Sequence, residues 1–145
     1  GAHRRFEYVG TYRGTNIYDD YGHHPTEVKA TAKALKNKKY NKSWVVFQPH
    51  TYSRTFNLLD DFANALLEFD NIIVTDIYAA RETDTLGISS EDLQKRIQEL
   101  GTPCEYFPTF DEIENYLLSN CQEGDLLITM GAGDVVNIGE HLLGK

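Results

Sequence analysis

The sequence predicts an α/β domain: a mostly parallel sheet of about six strands, helices on both faces, and an antiparallel hairpin at the N-terminal edge. Two observations carry this. The runs WVVF, IIVT and LLIT are almost continuously apolar, as strands covered on both faces must be. Segments with helical spacing of apolar residues alternate with these runs through short connections, which is the βαβ pattern.

The elements follow in chain order. Residues 6–9 pair with residues 17–20 through a turn at Arg13-Gly14, where glycine accepts a backbone that other residues resist. Residues 17–21, 44–48, 72–76, 105–107 and 126–130 are the remaining strands. Pro25 takes the first position of a helix whose inner face is Val28, Ala32 and Leu35. A second helical stripe comprises Phe56, Leu59, Phe62, Ala63, Leu66 and Leu67. Ser89 or Ser90 caps a third helix with Leu93, Ile97 and Leu100 inward. Thr109 and Glu112 form a capping box ahead of Ile113, Tyr116 and Leu117. Asp134 is expected to cap a last helix with Val135, Ile138 and Leu142 inward, ending near Gly144.

The 145 residues suit one domain, 1–145, with its own core. A net charge of −8 argues against a nucleic-acid surface, but a small site can still be locally positive. No apolar run nears the roughly 20 residues of a membrane span, and no signal-peptide pattern is present. Cys104 and Cys121 lack metal-ligand spacing and read as reduced thiols.

In such a sheet, ligands bind beyond the carboxyl ends of the strands. That rule selects the loops DDYGHHP, QPHTYSRT, TDIYAARE and TMGAGD. In the first, Asp20 can accept from ribose hydroxyls, Tyr21 or a histidine can stack on a base, and the helix that follows favours an anion. The plainer reading is a strand-to-helix turn with exposed histidines. In the second, Arg54 offers a fork for carboxylate or phosphate beside His50; alternatively it pairs with a neighbouring acid. In the third, Arg81 and Glu82 can hold a zwitterion between them, or form a surface ion pair. The fourth is a glycine turn that lets backbone approach a ligand, and it lacks the G-x-G-x-x-G order.

Several engines are missing. There is no phosphate-gripping G-x-x-x-x-G-K-[ST], no H-E-x-x-H, no paired C-x-x-C and no G-x-S-x-G. His23 and His24 are adjacent and chelate poorly, while His3, His50 and His141 are scattered. No metal site is expected. The chain carries ligand-facing loops without machinery for phosphoryl transfer, and reads as part of something larger.

DDYGHHPTE, FQPHTYSRT, TDIYAARE with ISSEDL, and TMGAGDV, in that order, resemble the C-terminal domain of the Mur ligases, over essentially the whole chain from Arg4. DDYGHHPTE and FQPHTYSRT are most similar to members that join L-alanine to UDP-N-acetylmuramate. The resemblance implies a Rossmann-like domain of a bacterial cytoplasmic enzyme of peptidoglycan synthesis. It implies two further domains outside this chain, one for the UDP-sugar and one a central ATPase holding most of the Mg2+ site. ATP then phosphorylates the sugar's carboxylate, and the amino acid's amine attacks the acyl phosphate. By position, Asp20 is implied near the ATP ribose, with Tyr21 and His23 flanking the nucleotide or the reaction centre. His50 and Arg54 are implied at the L-alanine, and Arg81 in the loop that reads the incoming amino acid. Asp134 is a looser match, and Thr51 stands where the motif often carries a basic residue.

His23 and His50 are both candidates to take a proton from the attacking amine, and the residues do not choose between them. The isolated chain is expected to fold and to lack ligase activity. The alternatives are a ligase that recycles a murein tripeptide onto UDP-N-acetylmuramate, and a non-catalytic nucleotide-binding module. Upstream sequence discriminates: a P-loop region before His3 marks a ligase. Gly1-Ala2 is either native linker or an added remnant.

Overall fold

The computed structural model describes residues 5–145; Gly1-Ala2, His3 and Arg4 lie outside them. The strands are β1 (Glu7–Tyr12), β2 (Thr15–Asp20), β3 (Ser43–Phe47), β4 (Asn71–Val74), β5 (Cys104–Tyr106) and β6 (Leu126–Met130). The helices are α1 (Pro25–Leu35), α2 (Tyr52–Asn57), α3 (Leu59–Leu66), α4 (Ser90–Glu99), α5 (Phe110–Asn120) and α6 (Val136–Leu142). The 6-stranded sheet has the order β1-β2-β6-β3-β4-β5. Only β1 runs antiparallel, against β2, and Arg13 and Gly14 make its turn with φ of 50° and 80°.

The apolar runs sit in the centre of the sheet, and every residue of β3 and β6 is buried. Alternate side chains go to opposite faces. Val45, Phe47, Ile72, Val74, Ile128 and Met130 join a core covered by α1, α3 and α4. Trp44, Val46, Ile73 and Leu127 join a second core with Ile113, Leu117, Val135 and Ile138 of and beside α5 and α6. In the first core the Phe47 and Phe62 rings pack at 5.2 Å between centroids.

Most caps are as the sequence predicts. Pro25 opens α1. The Asp92 carboxylate accepts from the Ser89 N–H at 2.9 Å ahead of α4, and Thr109 Oγ1 accepts from the Glu112 N–H at 3.3 Å ahead of α5. Two expectations are corrected. The single stripe from Phe56 to Leu67 is two helices that meet at Leu58 (φ −119°, ψ 23°). The bend lets α3 bury Phe62, Ala63 and Leu66 while Phe56 stays 56% exposed. Asp134 does not cap the last helix; α6 begins after Val135, and the Asp134 carboxylate accepts instead from Gln48 Nε2 at 2.8 Å. Among the described residues no helix is long and apolar enough to cross a membrane.

Phe62 has no exposed surface. Replacing it with alanine is expected to cost about 3–5 kcal/mol. Urea denaturation checks this as a fall in midpoint with little change in slope.

Candidate functional site

The carboxyl ends of four parallel strands lie in one row: Asp20 pairs with Met130, Met130 with Phe47, and Phe47 with Val74. The ladder continues one step past this row, through Gly131 N–H to the Asp20 carbonyl (3.0 Å), Gln48 N–H to Met130 (2.9 Å) and Thr75 N–H to Phe47 (3.1 Å). The polar loops therefore leave the sheet side by side.

The loop after β2 is built on Asp20. This side chain is 1% exposed, and its carboxylate accepts from Gly22 N–H (2.7 Å), Phe6 N–H (2.9 Å) and Thr31 Oγ1 (2.9 Å). A buried carboxylate requires such donors. The turn they make presents Tyr21, exposed, and His23, half-buried. His23 Nδ1 lies 3.1 Å from the Tyr21 carbonyl, so the ring donates there and its Nε2 carries the free lone pair when neutral.

The loops after β3 and β4 form one unit. Thr51 N–H donates to the Tyr78 carbonyl and Tyr78 N–H to the Pro49 carbonyl, each at 2.8 Å. Thr51 sits at φ 66°, ψ 148°, a strained setting for a non-glycine residue that the surrounding bonds must hold. It turns the chain into α2, which carries Arg54 beside His50. Glu82 accepts from the N–H groups of Tyr52 (2.6 Å) and Ser53 (3.1 Å), and from the Ser53 hydroxyl. Gly131 and Gly133 belong to the fourth loop. A Cβ on Gly133 would lie 2.6 Å from Gln48 Oε1 and 2.6 Å from the Tyr78 ring, so the glycine is needed for close packing.

Together these loops set aromatic rings in a line. Tyr21 and His23 are 5.3 Å apart, His23 and His50 5.3 Å, and His50 and Tyr78 5.6 Å, the last pair stacked at 16°. Beside the line, Arg54 Nη1 and His50 Nδ1 are buried with no hydrogen-bond partner. Burying a cationic N–H without an acceptor is costly, so the arrangement is prepared for an anionic oxygen. Burial, then the neighbouring His23 and Arg54, hold His50 below the ordinary histidine value, with a small opposing pull from Glu82. His50 is a neutral base near pH 7.

The candidate residues thus separate. His23, His50, Arg54 and Tyr21 converge. Arg81 is exposed at the rim, next to Ala80 with φ 56°. Asp20, expected at a ribose, is 1% exposed, and its carboxylate accepts from three donors within the chain. Glu82 is already engaged by the first turn of α2. Tyr78 and Gln48 are members of the site that sequence reasoning did not single out; both stood inside the quoted loops, but nothing local marks a tyrosine as a stacking partner of a histidine from another loop. Among the described residues, no group of three or more His, Cys, Asp or Glu is placed to hold a metal ion.

The family model described as "Mur ligase, glutamate ligase domain" matches residues 4–133. The UDP-N-acetylmuramate–L-alanine ligase of Lachnospira eligens is 56% identical over 143 residues, which are 99% of this chain and 31% of that protein. The chain thus spans about a third of the length of the curated relatives it matches. The crystal structure of the UDP-N-acetylmuramate–alanine ligase of Thermotoga maritima superposes with a TM-score of 0.78 at 23% identity, over 99% of this chain and 30% of that one. A murein peptide ligase of Psychrobacter arcticus gives 0.78 at 20% identity, over 98% and 29%. At these identities the two structures speak for the fold.

Two outcomes are expected from this geometry. A histidine free of the fold titrates near 6.5, and His50 titrates lower in the native state. Between those two values the unfolded chain holds more protons, so stability falls as pH drops through about 6.5. NMR titration of the His50 ring and urea unfolding across this window check it, and H50N flattens that part of the slope. Gly133→Ala forces Tyr78 or Gln48 to move and is expected to cost about 1–3 kcal/mol, read by urea unfolding alongside ring-proton contacts between Tyr78 and His50.

Proposed function

The chain belongs to the Mur ligase family, as its glutamate ligase domain, and from that premise we propose that it is the C-terminal closing domain of an ATP-dependent ligase. That ligase joins L-alanine to UDP-N-acetylmuramate in bacterial peptidoglycan synthesis, in the cytoplasm. The observation that carries the reading is the unpartnered, buried guanidinium N–H of Arg54 next to a neutral His50 at the carboxyl edge of the sheet.

Each element has a chemical task. Arg54 suits the carboxylate of the incoming L-alanine, since its planar fork matches a carboxylate, and Arg81 at the rim guides the same substrate. An amine must lose a proton to become an amide. His50, neutral near pH 7, or His23 through Nε2, accepts it. Tyr21 and His23 offer flat faces suited to the adenine of ATP, with Asp20 holding the loop that presents them. ATP supplies the activation of the sugar's carboxylate, and Mg2+ is held mainly by the central ATPase domain. An acyl phosphate is destroyed by water, so a domain that closes over the central one protects it. Positioning two substrates needs both sides of that cleft, hence the 145 residues alone are inactive.

Phosphate release tests this. The protein extended upstream to its natural start is incubated with UDP-N-acetylmuramate and ATP, with L-alanine or the murein tripeptide varied. Release dependent on L-alanine is expected, and the isolated chain gives none. Arg54→Ala is expected to lower kcat/KM by about tenfold to a hundredfold, the loss of one charge-assisted hydrogen bond, and His50→Ala and Arg81→Ala also to reduce it. Release with the tripeptide instead moves the assignment to a recycling ligase. No release with either leaves a nucleotide-binding module.

A further inference from the structure

Glu82 lies beside Arg81, and the pair could be read as a holder for a zwitterion. The geometry points elsewhere. Glu82 Oε1 accepts from two successive backbone N–H groups, Tyr52 at 2.6 Å and Ser53 at 3.1 Å, and Oε2 accepts from the Ser53 hydroxyl. Three of the carboxylate's roughly four acceptor positions are thereby used within the chain. An incoming ammonium would have to compete with them.

Two of those donors, the Tyr52 and Ser53 N–H groups, are the first N–H groups of α2. A helix leaves such donors without partners inside itself. The side chain of the N-cap residue Thr51 accepts from Arg54 N–H, at 3.3 Å, and Glu82 supplies the acceptors for the two N–H groups before it. A negative charge at that end also suits the helix dipole. Thr51 precedes them at φ 66°, so the turn would relax if the bonds beyond it were lost. His50 and Arg54 flank that turn. On the far side, Tyr78 closes the same unit through two backbone bonds to residues 49 and 51 and a ring stacked on His50.

We propose that Glu82 is a positioning residue: its carboxylate locks the first turn of α2 to the loop after β4 and so holds His50 and Arg54 in their site geometry. The inference deepens the ligase reading and rests on it for its catalytic consequence, while the clamp itself stands on the chain's own bonds. The Ser53 hydroxyl first, with burial opposing, and then the Ser53 and Tyr52 N–H groups and Arg54 keep the Glu82 carboxyl below the ordinary glutamate value, so it stays ionised at neutral pH. Specificity follows too. The loop that carries Arg81 and the loop that carries Arg54 cannot shift independently while Glu82 joins them.

The test compares Glu82→Ala, Glu82→Gln and Ser53→Ala with the parent. In this chain, amide exchange at Tyr52 and Ser53 is expected to quicken about tenfold in Glu82→Ala, while Val45 and Val46 in β3 keep their protection. NMR contacts between the His50 and Tyr78 rings are expected to weaken with it. In the upstream-extended ligase, KM for L-alanine is expected to rise about tenfold, with KM for ATP changing much less and Glu82→Gln lying between. Ser53→Ala removes one donor without touching the charge, and is expected to act in the same direction more weakly; it decides the matter if Glu82→Ala does not fold. Unchanged exchange at Tyr52 and Ser53 overturns the clamp. A rise in KM with exchange unchanged means that Glu82 meets the substrate directly, and also overturns it. Faster exchange with the ring contacts and KM intact shows a cap that positions nothing, and overturns the proposal. If the extended protein ligates nothing, the ligase reading fails, and exchange and ring contacts still judge the clamp.

Discussion

The site depends on one constraint, the level ending of four parallel strands. Parallel pairing forces every strand to point its carboxyl end the same way. Register then decides whether those ends meet in a row. Here Asp20, Met130, Phe47 and Val74 are aligned partners, and the ladder extends one residue past them. Because β6 inserts between β2 and β3, loops far apart in the sequence leave the sheet as neighbours. The glycines of TMGAGD keep the middle loop thin enough for its neighbours to close over it.

Buried carboxylates fasten both ends of this sheet. Asp20 holds the carboxyl edge through three donors. Asp125, 4% exposed, holds the opposite edge, accepting from Trp44 Nε1 at 2.9 Å and from the backbone of Gln122 and Lys42. Asp70, itself exposed, ties the start of β3 through Ser43 N–H at 2.8 Å. The buried pair, Asp20 and Asp125, is costly to desolvate and tolerable only with its donors in place. The same acids contribute to a net charge of −8, yet they are spent internally. What the carboxyl edge presents is Arg54, Arg81 and two histidines, so an acidic protein carries a locally cationic edge.

A domain of this kind divides labour between rigid and strained parts. The sheet and its two cores supply rigidity. Of the five described non-glycine residues with positive φ, Phe6, Arg13, Thr51, Ala80 and Leu86, two, Thr51 and Ala80, flank the joined backbones of the loops after β3 and β4. Strain is tolerable there because hydrogen bonds from several directions over-determine the backbone. The same joining keeps Arg54 and His50 within one hydrogen-bonded unit.

The fold was legible in the sequence because its signals are local. WVVF, IIVT and LLIT announce buried strands, Pro25 and Thr109 announce helix starts, and the carboxyl-edge rule selects four loops that leave the sheet side by side. The motifs DDYGHHPTE and FQPHTYSRT likewise point to the family, since both are short and contiguous. What the sequence alone left open was decided by partners distant along the chain. Asp20 turns inward because Phe6 and Thr31 reach it. Asp134 leaves its helix because Gln48 offers a donor. Tyr78 joins the site because the Thr51 and Tyr78 backbones meet. The stripe from Phe56 to Leu67 breaks because α2 is anchored to one loop and α3 to the sheet. Local propensity determines which elements form, but the use of a polar side chain depends on which donors the tertiary packing brings within 3 Å or so, and no spacing in the sequence encodes that.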